Sequence, residues 1–173
     1  MSNIFRIIND YWYRAPVDVV SIIRDAGIDY REDFLGDDVS GMIERVGPDH
    51  YAITVNLADG LPRRRFTAAH ELAHYIYHRD LIGSGLMDNR AYRCAPTGKF
   101  RNENIKPHHE TEANQFAANL LMPAHLIRML ENQGITDTAE QARRLGVSVP
   151  AMRIRKEKPL VRTSFEQDEA RAD

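Results

Sequence analysis

The residues most able to do chemistry stand together in His70-Glu71-Leu72-Ala73-His74. Side chains four apart on an α-helix share one face, so two imidazoles at this spacing can meet a single ion. Glu71 lies one step round the helix, within reach of a water on that ion. This is the H-E-x-x-H arrangement, in which histidines hold zinc and the glutamate acts as general base. The expected chemistry is peptide hydrolysis, with the ion polarising water and carbonyl while the carboxylate carries the proton to the leaving amine. Five-residue matches of this kind also arise by chance, so the context matters. Phe66, Ala69, Ala73, Ile76 and Tyr77 give the segment an apolar body. Two histidines and a glutamate on such a helix must be satisfied by something.

A catalytic zinc needs a third protein ligand. His78 continues the series, but it stands about 12 Å along the helix from His70, too far for one ion. A supporting or surface role suits it better. Asp80 follows His74 by six residues without a glycine turn and ranks low. Glu110 ranks first, with Asn114 one turn further on to hydrogen-bond a ligand histidine. Glu112, His108 and His109 stay open as alternatives.

The elements that must position these groups follow from periodicity and punctuation. Residues 3–14 form an amphipathic stretch. A helix follows Pro16 and ends at Ala26-Gly27, and Ile28 to Tyr30 is a short strand. Residues 39–46 and 51–57 flank Gly47-Pro48-Asp49-His50 as a β-hairpin. A strong helix spans Phe66 to His78, and a second runs from His109 to Met122, where Pro123 stops it. Helices over 124–132, 138–145 and 150–155 complete the pattern. Residues 83–107 have no clear period, which marks a functional or mobile insert.

Composition bounds the class. The chain has 173 residues, 43% hydrophobic and 28% charged, with a net charge of -2 and a pI near 6.4. That is ordinary for one globular domain and argues against a surface coated in basic charge. One cysteine, Cys94, allows no internal disulfide. The first ten residues lack the pattern of a signal peptide, and no window has the apolar length of a membrane span. A cytoplasmic location without membrane partners is expected.

Arg65-Phe66-Thr67-Ala68-Ala69-His70-Glu71-Leu72-Ala73-His74, followed by Glu110-x-x-Ala113-Asn114-x-Phe116-Ala117-Ala118-x-Leu120-Leu121-Met122-Pro123, resembles the ImmA/IrrE family of metallopeptidases over residues 16 to 155. The resemblance implies an α+β, gluzincin-like core, a small antiparallel sheet packed on helices. It implies Zn2+ held by His70, His74 and Glu110, with Glu71 as base. Family members cleave helix-turn-helix repressors and so release stress-response or phage-defence genes. This chain is similar to the stand-alone, CapP-like members. It departs from them in the insert over residues 79–107.

Several further expectations follow. Cys94, in the insert, is a candidate inhibitory fourth ligand whose thiolate would close the site; a buried thiol acting as a small hydrophobe is the plainer alternative. Arg63, Arg64 and Arg65 are candidates for binding a single-stranded nucleic acid activator or an acidic partner, against a plain solvated charge run. The strand Tyr51 to Asn56, with Ile53 and Val55, is a candidate edge for an extended substrate. Residues 138–155 have helix-turn-helix rhythm; Arg153, Arg155, Lys156 and Lys158 would meet phosphate, although a hairpin packed on the core is favoured, with Pro150, Met152 and Ile154 structural. Tyr75, Tyr92 and His78 are candidates to stabilise the oxyanion. The domains expected are 1–135 for the peptidase, 136–160 for the hairpin and 161–173 for a flexible tail. The competing function is a zinc-stabilised DNA-binding or interaction protein, but such sites are usually closed by cysteines.

Overall fold

The structure is a computed structural model, and it describes residues 3–37, 39–82, 92–93 and 105–157. The elements run α1 (Asn3–Trp12), α2 (Val19–Asp25), β1 (Asp29–Asp33), β2 (Gly41–Gly47), β3 (His50–Asn56), α3 (Leu61–Tyr77), β4 (Tyr92–Arg93), α4 (Pro107–Leu121), α5 (Ala124–Asn132), α6 (Thr138–Leu145) and α7 (Val149–Glu157). The fold is α+β, a small sheet packed on helices. No helix among the described residues is long and apolar enough to cross a membrane.

The strand order is β1-β3-β2-β4. The predicted hairpin pairs β2 with β3 antiparallel, Ile43 opposite Ile53. β1 lies parallel to β3, Tyr30 beside Ile53, so the sheet is mixed and not antiparallel throughout. This also overturns the edge expected at Tyr51–Asn56. β3 is paired on both sides, and Ala52, Ile53 and Val55 are completely buried. Its backbone donors and acceptors are already spent on β1 and β2, so no peptide can add there, and Ile53 and Val55 are core residues.

Asn56, at the end of β3, organises the β1–β2 connection. Its buried amide donates to the carbonyls of Gly36 and Val39 and accepts from the Ala58 N–H. Gly41 begins β2 directly against α3: a Cβ there would lie on the Thr67 side chain and 3.0 Å from the Thr54 carbonyl. The absent side chain lets the sheet approach the helix that carries the chemistry.

α3 begins at Leu61, earlier than expected, because Pro62 sits in its first turn. A proline there forfeits only an N–H that has no intrahelical partner. Thr67 through His74 are buried without a break. That pattern marks a helix enclosed on all sides. The alanines Ala68, Ala69 and Ala73 on α3, and Ala113 and Ala117 on α4, are all fully buried. Such small side chains let two helix backbones come close. Tyr77 of α3 and Phe116 of α4 cross edge to face at 5.7 Å.

α6 starts on an Asp137 cap that accepts the Glu140 N–H and ends at Gly146, which takes the left-handed conformation at φ +68. Met152 on α7 is buried, but Ile154 is half exposed and not structural. Arg155 is 8% exposed and donates from Nε to the Met122 carbonyl at the end of α4. It ties α7 to the end of α4 and is buried away from any phosphate. Lys156 reaches the Thr136 carbonyl and the Thr138 hydroxyl.

Candidate metal centre

α3 and α4 bring one group of ligand atoms together. Among the described residues, His70, His74 and Glu110 form a cluster whose ligand atoms all lie within 4.8 Å of one another. His70 Nε2 stands 3.0 Å from His74 Nε2. Glu110 places one oxygen 3.2 Å from His70 Nε2 and the other 4.0 Å from His74 Nε2. The histidines are buried while the Glu110 side chain is 33% exposed, so the cluster has one open side. Glu110 is thus the carboxylate that stands beside the two histidines.

The far nitrogens of both rings are engaged. His70 Nδ1 lies 3.0 Å from the Asn114 amide oxygen, which can only accept, so Nδ1 carries the proton. His74 Nδ1 lies 3.0 Å from His78 Nδ1. In the neutral ring the proton on His70 Nδ1 leaves the lone pair of His70 on Nε2, the atom turned toward His74 and Glu110. Ligand nitrogens about 2 Å from a common tetrahedral ion stand roughly 3.3 Å apart, close to what is seen here. Two imidazoles and a carboxylate therefore fit a zinc-type ion.

The electrostatics point the same way. Burial, and then the neighbouring His70 charge, push His74 down to about 2. Its ring stays neutral, as a ligand must. Burial works to lower His70 as well, but the hydrogen bond to Glu110 and the charges of Glu71 and Glu110 leave it raised. The carboxylates of Glu71 and Glu110 make positive charge favourable beside His70. Glu71 is fully buried on the same turn as His70.

The other candidates go elsewhere. Glu112 accepts from His78 Nε2 at 3.1 Å, a contact that spacing alone did not reveal. His109 accepts the Lys106 N–H at the start of α4 and packs its ring on His78 at 4.5 Å; His108 packs in turn on His109. Asp80 sits in the short turn Arg79–Leu81 after α3. Tyr75 is engaged elsewhere: its ring meets Tyr51 and its hydroxyl accepts from Arg79. Cys94 and the Tyr92 side chain lie outside the described residues.

The three arginines do not form a cationic strip. Arg63 donates to the Ser40 hydroxyl and pairs with Asp59. Arg64 pairs with Glu32 of β1 at 2.6 Å. Arg65 donates to the carbonyls of Gly146 and Val17. Consecutive helical residues point about 100° apart, so a run of three fans out instead of gathering.

The model of a peptidase family, Peptidase M78, described as the IrrE N-terminal-like domain, matches residues 24–156. A comparison with curated proteins finds none that matches. Among solved structures, a Mycobacterium tuberculosis transcriptional regulator superposes with a TM-score of 0.58 at 21% identity, over 95% of this chain and 48% of that one. The chain thus spans about half the length of that structure, and the likeness is one of fold.

Proposed function

The chain belongs to the Peptidase M78, IrrE N-terminal-like family, and on that premise we propose that it is a cytoplasmic zinc-dependent endopeptidase. Its substrate, in this reading, is a helix-turn-helix transcriptional repressor, whose cleavage derepresses a stress-response or phage-defence operon. The observation that carries the peptidase reading is the convergence of His70, His74 and Glu110, whose ligand atoms lie within 4.8 Å of one another.

A divalent ion held by these three groups would supply Lewis acidity, polarising a water and the scissile carbonyl. The protein's own part is positional and protolytic. Asn114 holds the His70 ring so that Nε2 faces inward. Glu71, buried beside it, takes the proton of the attacking water and passes it to the leaving amine. The exposed side of Glu110 is where an extended peptide would approach. Selection of a repressor rests on the family resemblance. Latency through Cys94 belongs to the same reading: Cys94→Ala should raise basal cleavage, and unchanged activity at full zinc content removes that part.

The test is incubation of the zinc-loaded protein with a candidate helix-turn-helix repressor. A discrete cut is expected. Glu71→Gln should slow it by about 10²–10⁴-fold while zinc content stays the same. If the variant keeps the biological effect, the site is structural and the chain is a zinc-stabilised interaction protein.

A further inference from the structure

Asn114 accounts for the orientation of only one ligand histidine. The other, His74, is completely buried, and its far nitrogen faces a second histidine that the zinc chemistry does not use. His78 is itself 4% exposed. Its Nδ1 lies 3.0 Å from His74 Nδ1, and its Nε2 lies 3.1 Å from Glu112 Oε2 on α4. We propose that His78 and Glu112 form a two-step relay that sets the tautomer and the ring orientation of His74. They are positioning residues for the metal centre. This rests on the reading of His70, His74 and Glu110 as metal ligands.

The proton positions follow from donor and acceptor capacity. An ionised carboxylate only accepts, so His78 Nε2 must be the donor to Glu112. In a neutral imidazole the other nitrogen is then an acceptor, so His78 Nδ1 carries a lone pair. His74 Nδ1 must donate to it. That leaves the lone pair of His74 on Nε2, the atom turned toward His70 and Glu110. Reversing any one step puts a proton on the ligand atom or sets two lone pairs against each other. The carboxylate at position 112 therefore determines, through two rings, which nitrogen of His74 can bind an ion. Outer hydrogen bonds of this kind typically change metal affinity by about 10–100-fold.

The arrangement also explains a spacing on α4. Glu110 supplies the ligand itself, Glu112 keys His74 through His78, and Asn114 keys His70. Alternate residues of one helix thus address every ligand of the centre. His109 packs against His78 with its ring tilted, the centroids 4.5 Å apart.

Zinc affinity by chelator competition and the visible spectrum of the cobalt-substituted protein test this, with folding followed by circular dichroism. His78→Phe keeps a ring but has no acceptor, and zinc binding should weaken by about 10–100-fold. His78→Asn places its amide oxygen near the position of Nδ1 and should recover most of that loss. A role in packing alone predicts the opposite order. Glu112 is about half exposed, so its variants should fold. Glu112→Ala should weaken zinc and shift the cobalt spectrum, whereas Glu112→Gln, which keeps an acceptor oxygen, stays close to wild type. Equal losses in both Glu112 variants, or none in either, overturn the relay even if His78→Phe does not fold. A wild-type chain that binds no zinc would instead overturn the metal centre itself.

Discussion

The two halves of α3 use polar residues in opposite ways. In the first half, Arg63, Arg64 and Arg65 are adjacent and each leaves for a different neighbour: the β1–β2 connection, β1, and the turn between α6 and α7. In the second half, His70, His74 and His78 are spaced by four and stay in one row, each nitrogen handed to the next. A helix disperses neighbours and aligns residues a turn apart. The first half is therefore bracing, and the second half is a centre where charge can be concentrated.

Removing a ligand should break this contrast most sharply. His74→Ala, or chelation of the wild type, is expected to bring peptidase activity to background, with zinc restoring only the wild type. Retained activity in either case would refute a metal-dependent mechanism. An effect on stability alone is expected from Arg65→Ala. Two hydrogen bonds from a charged donor to carbonyls are lost, about 1.5–3 kcal/mol, read as a fall in Tm. Zinc affinity should not follow; if it does, bracing and centre are not separate. Arg63→Ala should cost less, under about 1 kcal/mol by urea unfolding, because its side chain is 65% exposed.

The smallest effect tests the spacing rule away from the site. Glu140 on α6 meets Arg143 and Arg144 three and four residues on. Their hydrogen bonds hold its carboxyl down at about 2, against an ordinary 4.5. A depressed carboxylate adds stability above the unfolded value and loses it as pH falls toward the folded one. The urea midpoint of Glu140→Gln should therefore trail wild type slightly at pH 7, and the gap should close between pH 4.5 and 2. A gap that is constant with pH would mean that the ion pairs contribute nothing.

Local regularities were written in the order of residues. His70, Glu71 and His74 could be assigned because their relation is set by one turn of helix, and Pro123 marks the end of the helix that carries Glu110. Glu110 was within reach because its spacing to Asn114 is again helical. Relations between distant elements left no such trace. Nothing in Tyr51–Asn56 distinguishes a central strand from an edge, since that depends on where β1 docks. Nothing in Arg65 announces Gly146, 81 residues away.

The sequence alone therefore determined the chemistry available on α3, because donor types and a 3.6-residue period suffice for it. Tertiary structure alone decided which carboxylate meets the histidines, which one stands behind His78, and which arginines are struts. Those outcomes depend on how closely α3 packs on α4, across buried alanines, and on the sheet, across Gly41, and packing is a property of the whole chain.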